Sequence, residues 1–194
     1  DLWLVDEPGS TARVLRVLHK DMRGDVDPAA MVEGARLAAT LGVGPEILGS
    51  DPDAGALLMP HLGGSWRRAT LFDLKDTAVR RSVIAAARRL HGGPALSSVF
   101  DPFARMERLL ARARQLGVPL PADADWLADA AAQVRDAVAT AGVARVPCRN
   151  DGSASNVMIG QGGRVLLIDY DLAGMNDPAY DLGVFLAEAT VFDD

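Results

Sequence analysis

Cysteine is nearly absent from this sequence, with one in 194 residues. That excludes an internal disulfide framework and points to a reducing, cytoplasmic setting. Aromatic residues are scarce at 5%, so base-stacking platforms for nucleic acid are not expected. A basic excess is also missing: 20 Lys plus Arg stand against 26 Asp plus Glu, a formal net charge of −6. That balance excludes the basic face of a nucleic-acid binder and favours a cationic small-molecule partner. No apolar run is long enough to span a bilayer, so membrane insertion is not expected. The three histidines, His19, His61 and His91, show neither metal-ligand spacing nor a nucleophile partner, and read as structural or solvated. Cys148 reads as an apolar strand residue rather than a reactive thiol.

What is present is ordinary for a globular chain: 49% hydrophobic and 24% charged residues. The length suits one domain, or two small lobes sharing a site. The chain opens on Asp1-Leu2-Trp3-Leu4, with neither Met nor a basic segment, so a signal peptide is not expected. It closes on Phe192-Asp193-Asp194 directly after an apolar stretch, and the expectation is a piece cut from something longer.

Hydrophobic periodicity orders the elements. Leu2 to Val5 and Val14 to Leu18 read as strands, joined by turn chemistry over Asp6-Glu7-Pro8-Gly9-Ser10. Residues 28–41 read as a helix, with Asp27 as N-cap, Pro28 at the first helical position and Gly42 as the stop. Ile47-Leu48 and Ala56 to Met59 read as two further strands. Three helices are expected over 76–91, 103–116 and 125–141. The period then falls to two: Val157 to Ile159, a turn over 160–163 and Val165 to Ile168 read as a β-hairpin. A last helix covers 179–190. Pro60, Gly63 and Gly64 interrupt both periods, so the natural division puts an N-terminal part at 1–62 and a C-terminal part at 63–194.

Chemistry concentrates around that hairpin. Asn150, Asp151 and Asn156 lie on the loop entering its first strand, and Asp169 closes its second. The outer ends of antiparallel strands meet, so Asn156 and Asp169 should be neighbours. An amide oxygen beside a carboxylate is a hard-oxygen pair suited to Mg²⁺ with phosphate oxygens. Asp151 would face the same space and accept a proton from an attacking hydroxyl. Singly, these residues are weak signals: Asp151-Gly152 is turn chemistry, Asn156 suits a turn, and Asp177 suits a helix cap. Asp169 is the most telling, because a carboxylate ending an apolar strand needs a metal or a partner. An Asp, an Asn five positions on and a second Asp beyond is the spacing of kinase catalytic loops.

Residues 148–188 resemble the choline/ethanolamine kinase family within the aminoglycoside phosphotransferase superfamily. That family's pattern runs His-Asn-Asp-x-x-x-x-Asn, then Ile-Asp-Tyr-Glu, then Asn-Asp-Pro-x-Tyr-Asp-Leu. This chain has Asn150-Asp151, Asn156, Ile168-Asp169-Tyr170-Asp171 and Asn176-Asp177-Pro178-Ala179-Tyr180-Asp181-Leu182. The resemblance implies an α+β, protein-kinase-like two-lobe fold, with a small antiparallel-sheet N-lobe and a mainly helical C-lobe, incomplete at both ends. It implies ATP and Mg²⁺ as cofactors, and transfer of the γ-phosphoryl group to the hydroxyl of a small, cationic amino alcohol such as choline or ethanolamine. Asp151 would then be the catalytic base, with Asn156 and Asp169 as metal ligands. Arg16 would hold phosphates, with Arg13 as its competitor, and Glu33 would be its ion-pair partner. Met59 and His61 would belong to a hinge over 58–62 that meets adenine. Asp171, with Tyr170, could face the acceptor's cationic group; Asp181 would support the catalytic loop.

Three departures stand out. Arg149 occupies the place of the family's His, and a buried arginine needs an acidic partner, for which Asp169 and Asp181 are the candidates. No Gly-rich phosphate loop precedes Arg16. The later helices that line an acceptor pocket are missing. The rival readings are an aminoglycoside or other small-alcohol kinase, and a non-catalytic pseudokinase-like binding module.

Overall fold

The computed structural model describes residues 1–6, 9 and 11–190. The turn expected through Glu7, Pro8 and Ser10 lies outside them. The described chain forms two compact units, one of residues 1–99 with 145–194 and one of residues 100–144.

The first unit opens with β1 (Leu2–Val5) and β2 (Arg13–Val17), followed by α1 (Pro28–Thr40), β3 (Gly49–Asp51) and β4 (Ala56–Pro60). These strands form an antiparallel sheet in the order β1-β2-β4-β3. Its register sets Arg16 opposite Leu57 and Val14 opposite Met59. The expected strand at Ile47-Leu48 begins two residues later, at Gly49. Helix α1 starts where Asp27 accepts from Ala29 and Ala30 N–H groups, with Pro28 needing no donor partner. It buries Ala30, Met31, Val32, Gly34, Ala35 and Ala38, a stripe narrow enough to approach its neighbours closely. A Cβ on Gly34 would come within 2.3 Å of Ala173 Cβ, so α1 lies directly on the segment after Asp169.

The same unit continues with β5 (Arg67–Arg68), α2 (Thr77–His91), β6 (Val146–Cys148), β7 (Val157–Ile159), β8 (Val165–Leu167), β9 (Gly174–Asn176) and α5 (Pro178–Ala189). The expected hairpin is β7-β8, with β5 added along its outer edge. The short strands β6 and β9 pair with each other, placing Cys148 opposite Gly174. Of the strands β5, β6 and β9, sequence reading reached only the Cys148 end of β6, since none of the three has a partner strand next to it in sequence. Helix α2 buries Val83, Ala86, Ala87 and Leu90, and α5 starts where Asp177 accepts from Ala179 N–H at 2.8 Å. One hydrophobic core joins α1, α2, the β7-β8 hairpin and α5 through Met31, Leu74, Leu90, Val157, Leu167 and Phe185.

The second unit is built on α3 (Pro102–Gln115) and α4 (Ala124–Ala141). Asp101 caps α3, and α4 stops at Gly142, whose φ of 61° is left-handed. An Arg135–Glu107 ion pair of 2.7 Å links the two helices. Among the described residues no helix is long and apolar enough to cross a membrane.

Candidate active site

The loop between β6 and β7 is held in place from its first residues. Asn150 sits at φ 63°, a conformation Asn tolerates better than most residues. Its buried amide Nδ2 donates to Leu172 O at 2.8 Å, and its Oδ1 accepts from Asn176 Nδ2 at 2.8 Å. The loop is therefore pinned to β9 and the residues before it. Asp151 then offers both carboxylate oxygens to the loop itself. Oδ1 accepts from Ser153 N–H at 2.9 Å, and Oδ2 accepts from Asn156 Nδ2 at 2.7 Å. The turn reading and the functional reading of Asp151 thus describe one geometry. Donating its Nδ2 leaves Asn156 with its amide oxygen turned to other use.

Asp169 follows β8 and also has a left-handed backbone, at φ 64°. Ile168 N–H donates to Asn156 O at 2.9 Å, so Asp169 lies one residue past the last point where the hairpin ends touch. Arg16 reaches from β2 to the same place. Its guanidinium lies 3.4 Å from Asp169 Oδ1 and makes a short contact with Asp171 Oδ1. Burial pushes the Asp171 carboxyl up to about 6; Arg16 opposes that rise and the charge of Asp169 adds to it. Arg16, Asn156 and Asp169 line a cleft of about 430 Å³. Met59, Pro60, His61 and Leu62 also line it, with Leu57 and Tyr170. The backbone at His61 is set by the sheet, since its N–H donates to Ala12 O at 2.9 Å. The oxygens of Asn156 and Asp169 are hard donors of the kind a magnesium ion takes, and Arg16 is the cation now set against Asp169 and Asp171. That donor set fits the ion.

The whole chain, residues 1–194, matches the sequence model of the phosphotransferase enzyme family. It belongs to that family. The chain is similar to a choline/ethanolamine kinase family protein of Mesorhizobium loti, 28% identical with a TM-score of 0.78, covering 96% of this chain and 64% of that one. It shares its fold with a choline kinase of Streptococcus pneumoniae, 20% identical with a TM-score of 0.78, covering 98% and 66%. It also shares it with an aminoglycoside phosphotransferase of Streptomyces rimosus in complex with ADP and streptomycin, 22% identical with a TM-score of 0.61, covering 95% and 77%. The chain therefore spans just under two thirds of the length of the Streptococcus pneumoniae and Mesorhizobium loti structures. No curated protein matches it significantly.

Two expectations about these residues need correction. Glu33 does not pair with Arg16. Its carboxylate accepts from Ser97 N–H at 3.0 and 3.1 Å and from the Ser97 hydroxyl, outside the cleft. Arg16 instead uses Asp169 and Asp171, with Nη1 against Met31 Sδ. Arg149 takes no acidic partner either. Its buried guanidinium donates to the carbonyls of Asn156 and Ile168, at 3.0 and 2.9 Å. Asp181, the other candidate partner, is occupied: it accepts from Asn150 N–H at 2.6 Å and is bonded to His91 Nε2 at 2.8 Å.

The partners of several residues around the loop escaped sequence reasoning. His91, read as structural or solvated, is structural: it is the buried partner of Asp181, with side-chain exposures of 9% and 5%. Cys148 lies beside this pair, and burial pushes its thiol up, which keeps it protonated. Glu188 of α5 accepts from Ala154 N–H at 2.6 Å. Gly152 rests on α5 so closely that a Cβ would lie 2.3 Å from Phe185 N. One signal was available for Glu188: it stands seven residues after Asp181, on the same helix face.

Proposed function

We propose that this chain is the nucleotide-binding and catalytic portion of an ATP-dependent small-molecule kinase. It moves the γ-phosphoryl group to the hydroxyl of a small amino alcohol of the choline or ethanolamine kind. Residues 1–62 form the nucleotide lobe in this reading, and residues 63–194 carry the catalytic lobe in a cytoplasmic protein. The observation that carries it is Asp151 bonded to Asn156 at 2.7 Å, next to Asp169, beside a cleft walled by Met59 and His61.

The chemistry is mostly positioning and charge neutralisation. The acceptor hydroxyl oxygen forms the new bond to γ-phosphorus while the bond to the ADP oxygen breaks. Asp151 takes the hydroxyl proton, each of its oxygens keeping a lone pair beyond the bonds to Ser153 and Asn156. Asn156 fixes the rotation of that carboxylate. Asn156 and Asp169 would hold magnesium, which when bound would neutralise charge on the phosphate oxygens. Arg16 is the cation placed to share the phosphates. Asp171, behind Asp169, belongs to the acidic side that would favour a cationic acceptor. The similarity of the Mesorhizobium loti structure supports choline or ethanolamine, and the fold shared with an aminoglycoside phosphotransferase keeps a polyamine acceptor as the rival.

The test is ADP release by the purified full-length protein with MgATP and choline, ethanolamine or an aminoglycoside in turn. The choline or ethanolamine reaction should dominate, and Asp151→Asn should lower it at least about 10²-fold. An unchanged rate in that variant removes Asp151 from its role. Nucleotide binding without ADP release for any acceptor would make this a binding module.

A further inference from the structure

We propose that Arg149 is a positioning residue that sets the gap between Asn156 and Asp169. The inference rests on the reading of those two residues as magnesium ligands. Its basis is an incomplete pair at the end of the β7-β8 ladder.

Asn156 and Ile168 stand opposite each other, one step beyond the last paired residues, Val157 and Leu167. A complete hydrogen-bonded pair would exchange two N–H···O bonds. Only one is made, from Ile168 N–H to Asn156 O at 2.9 Å. The reciprocal donor, Asn156 N–H, turns back to Ser153 O at 3.0 Å in the short 3₁₀ turn that presents the Asn156 side chain. The Ile168 carbonyl is thereby left without its ladder partner. Arg149 Nη1 supplies the missing donor, at 2.9 Å from Ile168 O and 3.0 Å from Asn156 O. One guanidinium nitrogen thus bridges the carbonyl of one proposed ligand and the carbonyl preceding the other.

The bridge is buried, with Arg149 only 3% exposed. Among the described residues no carboxylate is bonded to it: Asp181 is taken by Asn150 and His91, and Asp169 and Asp171 by Arg16. Its charge is therefore met by carbonyl dipoles of the two strands it joins. A neutral histidine, the residue in the family pattern, has one N–H and could not reproduce the fork of donors. The arginine allows Asn156 N–H to be spent on the 3₁₀ turn while the hairpin ends stay closed.

The experiment is a titration of ATP binding against Mg²⁺ by calorimetry, using the full-length protein and its Arg149→Met, Arg149→Lys and Arg149→His variants. Amide hydrogen exchange at Asn156 and Ile168 is followed in the same samples without metal. Arg149→Met should raise the half-saturating Mg²⁺ concentration by about tenfold or more, the usual effect of losing an outer support of a metal ligand. Its ATP affinity without Mg²⁺ should be unchanged, and exchange at Ile168 should quicken. Arg149→Lys should recover part of the Mg²⁺ response, and Arg149→His less. If Arg149 acted only as a buried charge, its removal would tighten Mg²⁺, and that result overturns the proposal. So does a lowered melting temperature with Mg²⁺ response and exchange both unmoved. Should Arg149→Met fail to fold, equal Mg²⁺ requirements in the wild type, Arg149→Lys and Arg149→His would also overturn it. A wild type without Mg²⁺-dependent ATP binding defeats the kinase reading instead, and the exchange rates still decide whether Arg149 closes the hairpin ends.

Discussion

Gly152→Ala should disable the site while leaving the nucleotide cleft intact. A Cβ built at this position lies 2.3 Å from Phe185 N, 2.5 Å from Val184 C and 2.6 Å from Phe185 Cα. Favourable carbon contacts begin at about 3.5 Å, so something must retreat by about 1 Å. The obstructing atoms are all main chain of α5, locked in helical hydrogen bonds with Phe185 buried beneath them. The loop is the softer partner, and it carries Asp151 one residue away. A misplacement of about 1 Å costs on the order of 10²-fold in rate, or about 2.7 kcal/mol of transition-state stabilisation. Overpacking adds a stability loss of about 1–3 kcal/mol. Steady-state ADP release should therefore show kcat down about 10²-fold. KM for ATP should hold, because Met59 to Leu62 line the cleft and Gly152 does not. A folded variant with wild-type kcat would refute the idea that close contact with α5 places Asp151. A raised KM for ATP at unchanged kcat would refute it too.

Three further outcomes are expected. Gly183→Ala, one turn before the Glu188 end of α5, meets nothing within 4 Å and should stabilise the helix by about 1 kcal/mol without changing kcat, as read from thermal unfolding and the same assay. His91→Leu leaves one oxygen of the buried Asp181 carboxylate without its partner and should cost about 2–3 kcal/mol in urea unfolding, with His91→Gln closer to wild type; equal losses would show that the bond to Asp181 is unimportant. Asp171 binds its proton more tightly folded, at about 6, than an ordinary aspartate does, so its contribution to stability is fullest below pH 4 and is lost as pH rises through 6. Asp171→Asn should then gain stability over wild type between pH 4 and pH 7.5, by at most about 3 kcal/mol, and a pH-independent difference would exclude the burial of that carboxylate as its cause.

The sequence carried the long elements and the order of the polar residues because both are written locally. Asp27-Pro28 and Asp177-Pro178 announce two helix starts, and the alternation from Val157 to Ile168 announces the hairpin. The neighbourhood of Asn156 and Asp169 followed from strand pairing alone. What stayed hidden is set by tertiary contact. Glu33 sits on an ordinary helix face, and nothing in its neighbours tells whether it turns toward Arg16 or toward Ser97, 64 residues away. Arg149 looked as if it needed an acid because charge is visible in a sequence and a spare carbonyl is not. His91 lacked any local partner, since Asp181 lies 90 residues on.

Helix α5 explains why the Asp-Pro-x-Tyr-Asp-Leu stretch matters more than its capping chemistry suggests. Asp181 and Glu188 are seven residues apart, two turns of one face. Their carboxylates accept Asn150 N–H and Ala154 N–H, each at 2.6 Å. Between those two grips the loop crosses the α5 backbone at Val184 and Phe185, where only Gly152 fits. Asp151 is thus centred over a rigid helix by two charge-assisted bonds and one steric contact, with Asn156 closing the turn behind it. A five-residue loop alone would lose such a geometry to its own entropy. Fixing both ends and the middle on one helix holds the carboxylate in one place in the protein alone, which is the preorganisation that the proposed phosphoryl transfer would need.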